Sequence, residues 1–339
     1  MSGSLNRNAY FDNARFILIV LVVFGHLISP FRSDHHLLTT TYNFIYSFHM
    51  PAFILIAGYF SKGLFKEGYL TKVVQKVLIP YIIFQFIYSI LYSIQDKEVT
   101  FTLVDPYWTL WFLLSLLFWN VLTKLFTKMK YPLFFAVLIA LLIGYDQDVG
   151  GYLSLSRTFV FFPIFLLGHY LNQKHFNYLI TAKVRIISAI SMLLIFLGYY
   201  YFFPEGGRDW LLASSSYIDM GYEGQLHIAM LLRLVMYAVF FIITVCFLAL
   251  VPKGNYFFTP LGGRTLYVYL LHGLVIKLLQ ETSLFEFSNT IEAVIVFTST
   301  TLVISFLLAS KPIIALTQPI IEFHRYVKRN KRSKQEITS

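Results

Sequence analysis

Residues 10–30 read YFDNARFILIVLVVFGHLISP, and this stretch decides the fold. From Phe16 to Phe24 every residue is aliphatic or aromatic. A run of this kind, about 20 residues long, crosses a hydrocarbon layer of roughly 30 Å as one helix. It runs on too far for a cleavable signal and shows no small-residue cleavage site, so it is expected to remain as a span. Arg15 and His26 interrupt it. Their separation of eleven residues is close to three whole helical turns, which stacks the two side chains on one face about 16 Å apart. Asp12 lies a turn before Arg15. An ionised group at the centre of a span costs about 2.5–3.5 kcal/mol on insertion scales, so such groups usually mark a pathway or a reaction centre. Arg15 alone could snorkel to the interface, and His26 alone could be a core histidine bonded to a neighbouring helix. The aligned pair, with Asp12 below it, favours function. A neutral histidine is the natural general base at neutral pH once an acceptor orients its other nitrogen.

The rest of the chain agrees with a membrane setting. Its 339 residues are 57% hydrophobic, 19% aromatic and only 13% charged, too apolar for an ordinary soluble domain. Further apolar runs lie near 42–61, 77–95, 107–127, 131–146, 153–172, 184–203, 227–251, 265–281 and 290–316. The expected fold is therefore all-α: a polytopic bundle of about ten transmembrane helices. Lysines and arginines concentrate in alternate loops, at Lys62, Lys66, Lys72 and Lys76, then Lys124, Lys128 and Lys130, then Lys174, Lys183 and Arg185, then Lys253 and Arg264. The opposite loops carry Asp96, Glu98 and Asp105, Asp146 and Asp148, Glu205, Asp209, Asp219 and Glu223, and Glu281 and Glu286. By the positive-inside rule both termini are cytoplasmic. The division expected is a short segment 1–9, a membrane domain 10–316 and a basic tail 317–339. In that tail Arg325, Lys328, Arg329, Lys331, Arg332 and Lys334 would rest on anionic lipid heads. The net charge of +10 then reports orientation and lipid contact, not a nucleic-acid partner. Cys246 is the single cysteine, so no intramolecular disulfide forms. The chain lacks a Walker-type loop, a dinucleotide fingerprint, a His-Glu-x-x-His motif and paired-cysteine metal spacing, which leaves no expectation of a metal.

Several other residues could carry chemistry. The second span opens with Phe48-His49-Met50-Pro51 and closes with Gly58-Tyr59-Phe60-Ser61-Lys62. Its proline is expected to kink the helix and free carbonyls near His49, and its glycine to permit close backbone approach. The four lysines from Lys62 to Lys76 sit beside the inner mouth under Arg15, as a topology signal or as a phosphate-binding patch. Trp108 and Trp111 read as an interfacial aromatic belt or as a platform for sugar rings. His272, inside the ninth span, reads first as packing, as do His169 and Tyr170; the alternative for His272 is a place on a substrate path.

The segments Phe11-Asp12-Asn13-Ala14-Arg15 with His26, Phe48 to Pro51, Gly58-Tyr59, Pro80-Tyr81, Trp108 to Trp111 and Leu266 to His272 together resemble the membrane acyltransferase-3 family. Within it the chain is similar to the bacterial fucose 4-O-acetylase-like and polysaccharide O-acyltransferase branch. The resemblance runs from about residue 9 to 316. It implies about ten helices in a bacterial cell membrane and transfer of an acetyl group from cytoplasmic acetyl-CoA to a hydroxyl of an envelope or secreted polysaccharide or glycolipid. It also implies a catalytic role for His26, with Arg15 as its partner along the donor path and Asp12 beside it. Arg15, Ser61, Lys62, Lys72 and Lys76 would then hold the donor, while His49, Trp108, Trp111 and His272 would face the acceptor. Polysaccharide-synthesis proteins would be its partners. One departure stands out: many members carry Arg-x-x-Arg after the second span, where this chain has Lys72-Val73-Val74-Gln75-Lys76. Lysine supplies a point charge but not the bidentate fork of arginine.

Two other classes compete. A transporter or exporter would line its path with Arg15, His26 and His49 and would favour broken helices paired across two halves. A non-catalytic scaffold would use the same groups for packing alone.

Overall fold

In the computed structural model, residues 8–96, 101–204, 206–280, 282–285, 287 and 289–323 are described. Glu98, Glu205, Glu281, Glu286 and the tail cations from Arg325 onward lie outside the described residues. Helices in chain order are α1 (Ala9–Ile28), α2 (His36–Tyr46), α3 (His49–Tyr59), α4 (Tyr69–Asp96), α5 (Trp111–Phe126), α6 (Pro132–Leu142) and α7 (Leu155–Tyr170). They continue with α8 (Gln173–Leu179), α9 (Ala182–Phe202), α10 (Arg208–Leu212), α11 (Leu226–Leu250), α12 (Thr265–Gln280), α13 (Thr290–Leu308) and α14 (Lys311–Ile321). No strand occurs among the described residues.

Among the described residues, seven segments are long and apolar enough to cross a membrane: α1, the α2–α3 pair, α4, α7, α9, α11 and α13. The shorter apolar helices α5, α6 and α12 fall where the other three spans are expected. Outward faces are apolar, as lipid requires. On α9, Ile186, Ile187, Ile190, Leu193, Leu194 and Leu197 are all exposed, an arrangement water would penalise and acyl chains accept. The protein is an all-α, multi-pass membrane protein.

α1 begins where the Asn8 side chain accepts from the Tyr10 amide at 3.1 Å, capping the helix. It packs against α2, α3, α12, α13 and the 259–263 turn, and so forms the centre of the bundle. Asn13, fully buried on α1, fastens that turn and its approach. Its Nδ2 donates to the Pro252 and Gly254 carbonyls, each at 2.8 Å, and its Oδ1 accepts from the Thr259 hydroxyl at 2.6 Å. Asn13→Ala would strand two carbonyls and a hydroxyl. At roughly 1 kcal/mol net per bond the expected loss is about 3 kcal/mol, read as a lower unfolding temperature of the detergent-solubilised protein; an unchanged midpoint would refute the assignment.

The second span departs from expectation in two ways. It starts at His36, not 42, and it is two helices, interrupted at Ser47–Phe48. Phe48 leaves helical geometry at φ −137°, ψ −25°, so the break precedes Met50-Pro51. Pro51 cannot donate a backbone hydrogen bond, and the break places it in the first turn of α3, where none is needed. His49 Nδ1 then reaches the Ile45 carbonyl at 2.8 Å, and the Ser47 hydroxyl reaches the Phe44 carbonyl at 2.6 Å. α4 likewise starts at Tyr69, well before the expected 77, so Lys72 and Lys76 ride on its first two turns instead of a loop.

α3 and α7 cross with their backbones in contact. A Cβ on Gly58 would overlap the Phe165 carbonyl oxygen, and one on Gly168 would overlap that of Leu55. α5 is pinned to α7 by Trp119 Nε1 donating to the Thr158 carbonyl at 2.7 Å and by the Ser115–Thr158 hydroxyl pair at 2.7 Å. These two joints hold α3, α5 and α7 against one another.

Candidate active site

His26 opens into a cavity of about 120 Å³. Tyr42 and Tyr46 of α2, stacked at 3.9 Å, form one wall. Gly25 makes room for this wall: a Cβ there would come within 2.8 Å of the Tyr46 ring. The Tyr46 hydroxyl lies 3.3 Å from His26 Nδ1. His49 and Met50 of α3 and Trp108 before α5 line the cavity too, with the Trp108 ring edge-on to His26 at 4.8 Å. Trp108 takes a positive φ of 36°, a conformation costing a bulky residue on the order of 1–3 kcal/mol and held only where its surroundings demand it.

Three histidines converge here. His272 of α12 stands 5.4 Å from His26, ring to ring, and His49 stands 4.7 Å from the Tyr46 ring. A carbonyl only accepts, so His49 Nδ1 must donate to Ile45, and His272 Nδ1 to Tyr269 at 2.7 Å and Val268 at 3.0 Å. In the neutral ring that leaves Nε2 as a bare acceptor on each. His272 is fully buried, and its Nε2 has no hydrogen-bond partner among the described residues. His26 differs, because its Nδ1 faces a hydroxyl that can accept or donate.

Arg157 of α7 and Arg208 of α10, neither of them selected from the sequence, complete the cavity. Arg157 lies over the Trp111 ring at 5.2 Å, and its Nε donates to the Leu212 carbonyl at 3.2 Å. Arg208 Nε donates to the Tyr42 hydroxyl at 3.3 Å. Arg157 was detectable: a cation inside the apolar run 153–172 invites the same reading that singled out Arg15. Arg208 comes from an inter-helix segment and gives no such signal. Trp108 and Trp111 both face the cavity, with Trp111 also stacked on Phe161 at 5.8 Å.

Three turns away, Arg15 pairs with buried Asp12 at 3.0 Å, donates from Nε to the Phe11 carbonyl at 3.2 Å and covers the Phe60 ring at 5.1 Å. Asp12 thus joins Arg15 and not His26. Lys62 lies over the Tyr59 ring at 4.5 Å. Lys72 and Lys76 are exposed. Ser61 is buried, with its hydroxyl 2.7 Å from the Gly58 carbonyl and 2.8 Å from His169 Nδ1.

Between the two ends runs a second, apolar cavity of about 240 Å³. Ile19 and Val22 of α1 form its wall, and they fall between Arg15 and His26 at steps of four, three and four residues, on the same stripe. Phe53, Phe112, Leu116 and Tyr269 close the other sides, and Lys76 with Thr265 lines the end towards Arg15. Met50 belongs to the walls of both cavities. Met50 therefore lies between an apolar cavity with Lys76 in its wall and a polar chamber built on histidine.

Two curated relatives share part of this chain. A nodulation protein, NolL, of Mesorhizobium japonicum is 32% identical over 131 residues, 32% of this chain and 34% of its own length. A second NolL, from Sinorhizobium fredii, is 42% identical over 65 residues, 18% of each chain. The chain thus spans about a third or less of the relatives it matches. No solved structure matches. A family model described as an acyltransferase domain matches residues 8–310, nearly the whole helical bundle, and on that match the chain belongs to the acyltransferase-3 family.

Proposed function

We propose that this protein is a membrane O-acyltransferase that takes an acetyl group from acetyl-CoA at its lysine-bearing, cytoplasmic end and delivers it to a hydroxyl of an envelope or secreted polysaccharide or glycolipid at the other. The observation that carries this reading is the apolar cavity lined by Ile19 and Val22, which lie between Arg15 and His26 on one stripe, with Lys76 in its wall and Met50 shared with the His26 chamber. Arg15, Lys62, Lys72 and Lys76 supply positive charge for the donor's phosphates, with Ser61 beside them. The narrow pantetheine arm suits an apolar passage of this size, and the distance of about 16 Å from Arg15 to His26 is within its extended reach. Family membership supports the reaction class, and the bacterial source of the relatives supports a bacterial cell membrane as its place.

In this reading Tyr46 accepts from His26 Nδ1, which leaves Nε2 as the basic nitrogen. Nε2 removes the proton of the acceptor hydroxyl as its oxygen attacks the thioester carbonyl; the C–S bond breaks, and the proton passes from the imidazolium to the departing thiolate. Products are the O-acetyl ester and free CoA. Residues 10–316 act as one catalytic unit, with lipid, glycan acceptor and polysaccharide-synthesis proteins around it. A transporter would favour a second broken span, but α11, α12 and α13 run uninterrupted.

Free thiol release from acetyl-CoA by the full-length protein in lipid nanodiscs tests the proposal. Val22→Trp, which fills the apolar passage, is expected to lower that release at least tenfold while Val22→Ala retains it. Wild-type release from a folded Val22→Trp protein would exclude the passage as the donor route, and saturable binding with no thiol release from the wild type would sink the enzyme.

A further inference from the structure

Arg157 and Arg208 bring two cations to one chamber without an ion pair. Each spends its Nε on a neutral oxygen, the Leu212 carbonyl and the Tyr42 hydroxyl, and neither guanidinium lies within an ion pair of any described carboxylate, Asp209 included. Among the described residues, the Nη groups of both forks form no further hydrogen bond. The other ionisable groups lining the chamber are His26, His49, Tyr42 and Tyr46, and it holds no carboxylate. Asp209 offsets part of the Arg208 charge from a distance beyond an ion pair; two cations without a direct carboxylate partner this close to the apolar interior are costly and repel one another. A guanidinium fork is complementary to a carboxylate or phosphate, with two parallel hydrogen bonds. The π faces of Trp111 and Tyr42 under the two arginines hold those forks in place and add flat surfaces of the kind sugar rings stack on.

We infer that the acceptor is acidic: Arg157 and Arg208 bind a carboxylate or phosphate on the same sugar unit whose hydroxyl is presented to His26. The size of the chamber, about 120 Å³, sets the proximity, because an anion held by the arginines lies within about one ring of the histidine. This rests on the acyltransferase reading for the fate of the hydroxyl, while the anion site itself stands on the two arginines.

Binding of three small glycosides to the full-length protein in neutral-lipid nanodiscs decides it. Octyl β-D-glucuronide supplies a carboxylate, glucose 1-phosphate a phosphate, and octyl β-D-glucoside neither. At least one charged probe is expected to bind ten times tighter than the neutral one, with the advantage shrinking as salt rises and vanishing in Arg157→Gln/Arg208→Gln. The charged probe that wins identifies the acidic group. Equal or weaker binding of both charged probes by the wild type would overturn the inference, with no variant needed. Equal loss of neutral and charged binding in a folded double variant would also overturn it, since the arginines would then only shape the chamber. Thiol release measured on the same preparations separates the two readings. Anion preference without release keeps the site and removes the enzyme; release with neutral preference does the reverse.

Discussion

His26→Ala is expected to lower acyl transfer by about 100- to 10,000-fold, the usual contribution of a positioned general base, while leaving donor binding near its wild-type strength. The split follows from geometry. His26 lies in the chamber that shares Met50 with the apolar cavity, and the groups suited to phosphates lie three helical turns away around Arg15 and α4. On the proposed mechanism, losing the imidazole removes the proton acceptor without touching that end. Its environment argues against a packing role, because His26 faces a cavity and its polar contact is a hydroxyl, whereas His49 and His272 are tied to backbone carbonyls one turn before them. His26→Gln keeps a polar group of similar reach and should be equally inactive. The measurement is initial-rate release of CoA with parallel titration of acetyl-CoA binding. Full turnover in either variant would remove the base from the mechanism, and parallel loss of binding and turnover would return His26 to a structural role. Tyr46→Phe adds a graded outcome: without a hydroxyl to hold Nδ1, turnover should fall about tenfold with donor binding unchanged.

Much of this arrangement was legible in the chain. Apolar runs of membrane length locate the helices because lipid forces backbone hydrogen bonds to close within each segment, and the 3.6-residue period puts Arg15, Ile19, Val22 and His26 on one stripe before any tertiary contact is known. Other features depend on competition among local forces. Pro51 signals a discontinuity, but its position at Ser47–Phe48 depends on which carbonyls find other donors, and the His49 and Ser47 side chains decide that. Lys72 and Lys76 read as loop residues because charge obscures the early turns of α4. The convergence of His49, His272, Trp108 and Arg157 on His26 comes from the packing of five separate segments, which no spacing within one helix encodes. Arg157 was overlooked for a plainer reason, since a lone cation in an apolar run carries the same warrant as Arg15. Arg208 reaches the chamber only because the segment after α9 folds back over it, where the Ser156 hydroxyl donates to the Ala213 carbonyl at 2.9 Å.

Gly168→Leu should destabilise the folded protein more than any substitution within the chamber. Gly168 meets the Leu55 backbone and Gly58 meets the Phe165 backbone, so the α3–α7 crossing is held from both sides by residues without a Cβ. The carbonyls they touch belong to helix backbones and cannot swing aside as a flexible side chain would. A leucine must therefore push the helices apart, losing the close van der Waals contact that stands in for hydrophobic attraction inside lipid. The cost expected is about 2–4 kcal/mol, in the range of overpacked or stripped cores, seen as a marked fall in unfolding temperature and poor recovery of monodisperse protein. Gly198→Ala on α9 is the control, because a Cβ there meets nothing within 4 Å, and its expected effect is neutral to stabilising by up to about 1 kcal/mol from helix propensity. The same displacement reaches the chemistry, since α3 carries His49 and Met50 while α7 carries Arg157 and Phe161. The milder Gly168→Ala should therefore lose catalytic rate in proportion to its loss of stability. Adding Gly58→Ala should cost less than it does alone, because helices already parted at one glycine no longer clash fully at the other. Strictly additive losses, or a Gly168→Leu protein that melts with the wild type, would mean that the two helices are not held by this contact.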